Sequence, residues 1–111
     1  MALVIYAPGL TFDMAVRGDS VPNLCDLIAD GGIAAVTALP ALGRDVLRYD
    51  LRPVPGALEK FDAFVGEHRA RAGTLVVLSE CVLITNRAPA SIRPGTKLQP
   101  AEVASFLAGM M

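Results

Sequence analysis

The sequence is poor in the residue types from which metal centres and disulfide frameworks are built, since its 111 residues include one histidine and two cysteines. Cys25 and Cys81 lie far apart and form no CxxC motif, which argues against a zinc site or a disulfide framework. His68 has no partner spaced as in a Ser-His-Asp or Cys-His site. We therefore predict reduced cysteines, no metal ion and no cofactor.

The sequence also lacks the features of several binding classes. Pro8-Gly9 has neither the GxGxxG nor the Walker spacing of a phosphate loop. The ten Lys and Arg residues are scattered and the net charge is −1, so we expect no nucleic-acid partner and no anionic membrane surface. Every apolar run is too short to cross a membrane. The first run, Ala2–Tyr6, lacks a basic n-region and is too short for a signal h-region, which predicts a cytoplasmic protein.

Hydrophobic residues, in contrast, are abundant. They make up 53% of the chain, and the mean hydropathy is +0.49, which is high for a protein with so much surface per residue. We therefore expect some apolar surface to meet another chain, in a homodimer or with a protein partner. The length predicts one domain over residues 1–111.

Apolar periodicity predicts four or five strands. Ala2–Tyr6 is an uninterrupted apolar run, as expected for a strand buried on both faces of a parallel sheet, and residues 33–39 and 74–79 have the same character. Residues 46–52 alternate between apolar and charged side chains, which predicts a half-solvated edge strand. Val82–Thr85 either continues the strand before it or forms a separate one, and periodicity does not decide between these alternatives.

Helices are predicted between the strands. The first helix is predicted from Pro22, which suits a first turn, to Gly31-Gly32, which suits a left-handed end. Residues 57–72 have the clearest amphipathic pattern and predict the second helix. Pro100 is predicted to begin the last helix. The remaining segments are predicted as bends or loops: residues 11–20 and 86–99. The pattern predicts an α/β domain of three layers, α/β/α, with a mainly parallel sheet of about four or five strands and helices on both faces.

Three fragments of the chain, in this order, resemble the core of the alkaline phosphatase superfamily, nearest to its type I phosphodiesterase/nucleotide pyrophosphatase branch. The first fragment is residues 3–10 with Asp13 and Pro22-Asn23-Leu24. The second is residues 73–82, and the third is Pro94-Gly95 followed by residues 106–109. The resemblance covers most of this chain but only the scaffold of the much longer family members, and it implies an alkaline phosphatase-like fold.

The same resemblance implies a loss of catalysis. Family members use two metal ions and a Thr or Ser nucleophile. Pro8 stands where the resemblance places an Asp ligand, Gly43 stands at the nucleophile position, and Glu80-Cys81 replaces an Asp-His ligand pair. The resemblance therefore implies a pseudoenzyme that acts as a binding or assembly module, with no catalytic residues.

A residual site is the alternative hypothesis. The carboxyl ends of strands form the ligand crevice of open α/β sheets, and Asp13, Gly43, Arg44, Glu80 and Cys81 are the candidates for such a crevice in this chain. They would bind a metal ion or a phosphate ester in a phosphodiesterase-like or phosphatase-like enzyme.

Each of these candidates also has a structural interpretation. Cys81 is either a reactive thiol or a buried, inert one, and the second is favoured because no basic residue is near it in sequence. Asp13 is typical of a turn before a helix. Arg44, with Arg48 and Arg52, either gathers a phosphate or forms the solvated face of an edge strand.

Overall fold

A computed structural model describes residues 2–16, 21–87 and 97–110 of the chain. In these residues a mixed sheet of six strands has the spatial order β3-β1-β4-β5-β2-β6. The strands are β1 (Ala2–Tyr6), β2 (Gly32–Val36), β3 (Leu47–Arg48), β4 (Thr74–Leu78), β5 (Val82–Thr85) and β6 (Lys97–Leu98). β5 is antiparallel to both neighbours, and the other three pairings are parallel. The predicted α/β class is confirmed, but the sheet has six strands rather than four or five.

Four helices accompany the sheet in the described residues: α1 (Phe12–Ala15), α2 (Pro22–Asp30), α3 (Ala57–Arg69) and α4 (Pro100–Met110). Pro22 occupies the first turn of α2, as predicted. A bend was predicted over residues 11–20, but part of this segment forms the helix α1. The Thr11 hydroxyl caps α1 by accepting a hydrogen bond from the Met14 backbone N–H. The helix is too short to show an apolar period in the sequence. Residues 17–20 of that bend lie outside the described residues.

Gly31 ends α2 in a different way from the one predicted. Its φ is −138°, so the helix has no left-handed end at this position. A Cβ atom on Gly31 would collide with the backbone carbonyl oxygen of Thr85, at the end of β5. Glycine is required here because the chain passes close to β5 as it enters β2.

The strand β4 is the centre of the sheet, and all five of its residues are buried. It pairs with β1 along its whole length, from Ala2 opposite Thr74 to Tyr6 opposite Leu78. Alternate residues of β1, β4 and β5 enter two separate clusters of buried side chains. The first cluster includes residues of α2 and α3, and the second includes Val103 of α4.

Two short strands differ from the prediction. The predicted edge strand over residues 46–52 is reduced to β3, which does lie at the edge, beside β1. β6 lies within the predicted loop over residues 86–99, and residues 88–96 of that loop are outside the described residues. Strands of two residues are held by backbone pairing, and two residues are too few to show the alternation of apolar and polar side chains by which a strand is predicted.

The sequence left open whether Val82–Thr85 continues the strand before it or forms a separate one. It forms the separate strand β5, which pairs with β4 as an antiparallel hairpin. The Ser79 hydroxyl shapes the turn by accepting hydrogen bonds from the backbone N–H groups of Cys81 and Val82, at 3.3 and 3.1 Å. Asn86 joins the far end of the hairpin, because its Oδ1 accepts from the Leu75 backbone N–H at 3.0 Å. The hairpin is thus fixed at both ends.

A buried carboxylate caps α2 from a neighbouring helix. Val21, at the N-terminus of α2, supplies no side-chain cap. Asp62 of α3, only 3% exposed, accepts hydrogen bonds from the backbone N–H groups of Asn23 at 3.1 Å and Leu24 at 2.9 Å. The Asn23 side-chain amide also donates to the Asp62 carboxylate and to the Asp62 backbone carbonyl. Asp62 therefore does the work of an N-cap and joins the two helices.

Two further features hold α2 and α3 side by side. Gly66 leaves room for the Asn23 side chain, since a Cβ atom at this position would lie 2.6 Å from Asn23 Nδ2. At the other end of the pair, Arg69 of α3 forms ion pairs with Asp26 and Asp30 of α2. These aspartates are largely exposed, so the ion pairs add little stability compared with the buried carboxylate.

We expect Asp62→Ala to lower the free energy of unfolding by about 2 to 3 kcal/mol, because it removes the cap and leaves buried N–H donors without an acceptor. Urea denaturation measures the change. Glu67→Ala is the matched control, since Glu67 is an exposed carboxylate on the same helix and its loss should change stability by about 0.5 kcal/mol or less. Equal effects of the two substitutions would contradict the capping role of Asp62.

Candidate functional site

The carboxyl ends of five strands lie at the same edge of the sheet, because only β5 runs in the opposite direction. A crevice of about 520 Å³ opens at this edge, a volume within the range of small-molecule sites. Eight residues line the crevice: Tyr6, Thr37, Ala38, Leu39, Pro40, Leu42, Arg48 and Glu80. Its polar wall comes from the ends of β1, β3 and β4, and its apolar wall from the loop after β2.

Strand register brings the polar wall together. Tyr6, the last residue of β1, is opposite Arg48 of β3 on one side and Leu78 of β4 on the other. The Tyr6 hydroxyl donates to Glu80 Oε1, two residues beyond Leu78, at 3.4 Å. The Arg48 Cζ atom lies 5.4 Å from the centre of the Tyr6 ring, within cation–π distance. A tyrosine is thus flanked by one cation and one anion.

The charges around Tyr6 shift its pKa. Burial raises the pKa of the Tyr6 hydroxyl above its usual 10.0, the Glu80 charge and hydrogen bond raise it further, and Arg48 acts in the opposite direction. The hydroxyl therefore stays protonated at neutral pH and donates to Glu80. Arg48 and Glu80 form no ion pair with each other or with any other residue in the described parts of the chain.

The loop after β2 supplies the rest of the crevice lining and is attached to β6. The Thr37 backbone N–H donates to the Leu98 carbonyl oxygen at 3.0 Å, and the Thr37 hydroxyl donates to the same oxygen at 3.2 Å. That hydroxyl also lies 3.2 Å from Gln99 Oε1. These bonds hold the start of the loop in place, and its apolar residues, chiefly Leu39, Pro40 and Leu42, line the same crevice as Tyr6, Arg48 and Glu80.

The candidate residues from the sequence are not all in this crevice. Glu80 lines it, whereas Arg44 is exposed outside it and Asp13 is exposed on α1. Gly43 lines a second pocket, which shares Pro40 and Leu42 with the crevice. Cys81 follows Glu80 in the β4–β5 turn, and its thiol lies 3.4 Å from the Leu10 carbonyl oxygen.

The prediction that Cys81 is a buried core residue is wrong, since its side chain is exposed. The turn after β4 carries Glu80 and Cys81 away from the sheet and into solvent. Cys25 is half-buried and packs against the first core cluster, as expected for a structural cysteine. Both cysteines are free.

The structure does not bring together the residues that the alternative hypothesis gives to a metal site. Among residues 2–16, 21–87 and 97–110, no three His, Cys, Asp or Glu side chains are grouped so that they could hold a metal ion. Asp13, Glu80 and Cys81 therefore do not form a common ligand set.

The second pocket, of about 260 Å³, lies between the loop after β2 and α4. Its lining is mainly apolar: Ala2, Val4, Pro40, Ala41, Leu42, Gly43, Asp45, Val46, Ala104, Leu107 and Ala108. It offers one carboxylate and no hydroxyl or basic side chain, so it has little to orient a polar ligand.

Sequence reasoning missed Tyr6 and Thr37 and treated Arg48 mainly as a solvated edge residue. One signal was available, because each of them ends or directly follows a strand whose carboxyl end lies at the crevice. The pairing of Tyr6 with Glu80 joins residues 74 positions apart, and no local pattern encodes it.

Comparisons with known proteins give no assignment, since no protein-family model, no curated protein and no solved structure matches this chain. None of the helices in the described residues has both the length and the apolar character that a membrane crossing requires.

We expect the two charged neighbours to shift the pKa of Tyr6 in opposite directions: Glu80→Gln should lower it towards 10.0, and Arg48→Gln should raise it. Absorbance at alkaline pH measures the ionisation, and Tyr6→Phe separates it from that of Tyr49, the other tyrosine. Arg44→Gln is the control and should change nothing.

The raised pKa also makes the stability of the fold depend on pH. The folded protein holds the pKa of Tyr6 above 10.0, so the protonated hydroxyl contributes to stability. That contribution is complete below pH 10 and is lost as the pH rises through the raised pKa. Shifts in the same direction for Glu80→Gln and Arg48→Gln would contradict the arrangement of charges.

Proposed function

We propose that the chain is a non-catalytic binding module, built on a degenerate alkaline phosphatase-like scaffold, that holds a small molecule in the crevice at the carboxyl edge of its sheet. The proposal includes a three-layer α/β/α arrangement. It is supported by the two core clusters, one with side chains from α2 and α3 and the other with Val103 of α4.

The observation that carries the proposal is the crevice itself. Three charged or polar side chains, Tyr6, Arg48 and Glu80, converge there from three different strands or strand ends. A crevice of this size with a few convergent polar groups has features of a small-molecule site. The shifted pKa of Tyr6 is a second property that is frequent at functional sites.

The absence of catalysis is proposed from the residues at the positions that the resemblance assigns to chemistry. Pro8 has no side-chain atom able to bind a cation, and Gly43 has no hydroxyl to act as a nucleophile. Both are exposed, and neither lines the crevice. The two hydroxyls of the crevice are not activated nucleophiles, because that of Thr37 is bonded to the Leu98 carbonyl oxygen and the raised pKa of Tyr6 keeps its hydroxyl protonated.

A residual phosphate-ester site is the alternative function. Arg48 favours it, because a guanidinium binds phosphate oxygens well. Glu80 disfavours it, since a carboxylate in the same crevice repels a phosphate dianion.

We also propose that the chain forms a homodimer through the apolar surface of α1. Phe12 and Val16 are large hydrophobic residues four positions apart, and they are 42% and 52% exposed. Residues at this spacing lie on one side of a helical segment, so they form a small apolar surface. Burial of this surface against a second copy would account for part of the high mean hydropathy.

Thermal denaturation with a panel of small molecules tests the binding function. The panel contains zinc, manganese, magnesium, phosphate, a nucleoside monophosphate and free amino acids. We expect at least one member to raise the Tm by several degrees, because a ligand of the native state stabilises it by mass action. Ala38→Trp, which fills the crevice, should abolish the shift, and Ala41→Trp, in the same loop but outside the crevice, should keep it.

The same panel tests the absence of catalysis. With each of the three metals, we expect no hydrolysis of p-nitrophenyl phosphate above the rate without protein. A shift in Tm that persists in Ala38→Trp would place binding outside the crevice. Metal-dependent turnover would contradict the non-catalytic proposal.

Light scattering coupled to gel filtration tests the dimer. At micromolar concentration we expect about twice the 11.6 kDa mass of the chain, and the monomer mass for the Phe12→Ser, Val16→Ser double variant. Val54→Ser is the matched control, since Val54 is 57% exposed outside α1 and should leave the dimer intact. A monomeric wild-type protein would refute the dimer.

A further inference from the structure

The ligand class of the crevice follows from the charges on its polar wall. Arg48 and Glu80 are both exposed at the crevice, carry opposite charges and form no ion pair with each other, so their nitrogen and oxygen atoms lie more than 4.0 Å apart. Tyr6 lies between them, with the guanidinium over its ring and the carboxylate at its hydroxyl. The wall therefore presents two separate charges with a net charge of zero.

Both charged groups have free capacity for a ligand. In the described residues Arg48 donates no hydrogen bond, although a guanidinium has five N–H donors. Glu80 accepts one, from Tyr6, and a carboxylate accepts up to about four. A ligand with an anionic group and a cationic group would satisfy both residues, whereas a polyanion would meet repulsion from Glu80.

The apolar residues of the loop after β2 select the remainder of the ligand. Ala38, Leu39, Pro40 and Leu42 supply apolar surface a short distance from the charged pair. Removal of an apolar side chain from water against this surface is favourable. A ligand that satisfies Arg48, Glu80 and the apolar residues therefore carries an anionic group, a cationic group and an apolar group on one small molecule.

We propose that the crevice binds a free α-amino acid with an apolar side chain, such as leucine. Its carboxylate pairs with Arg48, its ammonium group with Glu80, and its side chain packs against Leu39, Pro40 and Leu42. This inference rests on the proposed binding function of the crevice and names the ligand class for the same site. It differs from the phosphate ester that the family resemblance implies.

Isothermal titration of the full chain with L-leucine tests the inference. Three analogues each lack one feature: 3-methylbutylamine lacks the carboxylate, 4-methylpentanoate lacks the ammonium group, and glycine lacks the apolar side chain. We expect leucine to bind and each analogue to bind about tenfold more weakly or worse, since each loses a charged hydrogen bond or the apolar contact.

Substitutions locate the two contacts. Arg48→Gln should weaken leucine binding about tenfold or more but should not weaken 3-methylbutylamine, because the amine does not bind the guanidinium and is repelled by its charge. Glu80→Gln should weaken leucine but should not weaken 4-methylpentanoate, whose carboxylate is repelled by Glu80. Arg44→Gln, an exposed arginine outside the crevice, is the matched control and should keep full affinity. Circular dichroism checks that each exposed-site variant remains folded.

The outcomes separate the inference from the proposed function. Phosphate or a nucleoside monophosphate that binds in an Arg48-dependent way, with no binding of leucine, would overturn the amino-acid proposal and leave the crevice as a binding site. Leucine binding that survives both Arg48→Gln and Glu80→Gln would also overturn it. No binding of leucine or of any member of the wider panel would overturn the inference and the binding function together.

Discussion

The buried carboxylate of Asp62 is the interaction on which the arrangement of this domain depends. Its hydrogen bonds join the N-terminus of α2 to the middle of α3. In chain order α2 connects β1 to β2 and α3 connects β3 to β4, so one carboxylate couples two crossover connections of the sheet. Removal of this acceptor leaves the buried Leu24 N–H without a partner and takes one from the half-buried Asn23 N–H. The helix pair thereby joins the two connections whose strands carry the crevice residues.

The crevice depends on a second constraint, which is the direction of the strands. Because β1, β3 and β4 end at the same edge, Tyr6, Arg48 and Glu80 come within reach of one another without any sequence proximity. Tyr6 separates the two charges, and its protonated hydroxyl orients Glu80 while its ring faces Arg48. Charges held apart in this way remain available to a ligand, whereas a direct ion pair would neutralise them.

Much of the scaffold can be predicted from local sequence. The buried strands β1 and β4 have uninterrupted apolar runs, and Pro22 and Pro100 mark helix starts, because these signals depend on neighbouring residues. The two-residue strands could not be predicted, since backbone pairing does not depend on a pattern of side chains. The Asp62 cap could not be predicted either, because it joins residues 38 positions apart. Of the predicted crevice residues, the structure places only Glu80 on its wall. The exposure of Cys81 could not be predicted, because the turn that exposes it is shaped by a single hydroxyl, that of Ser79.

The most direct test of the account is a ¹⁵N–¹H correlation spectrum of the full chain, recorded during a titration with L-leucine. Binding in the crevice predicts that one set of backbone amides shifts together with a single affinity: Tyr6, Thr37, Leu39, Arg48 and Glu80. The amides of Ala104 and Ala108, which line the second pocket, should not move. Shifts centred on Ala104 and Ala108, or no shifts at all, would contradict the assignment of the carboxyl-edge crevice as the site of an amino-acid ligand.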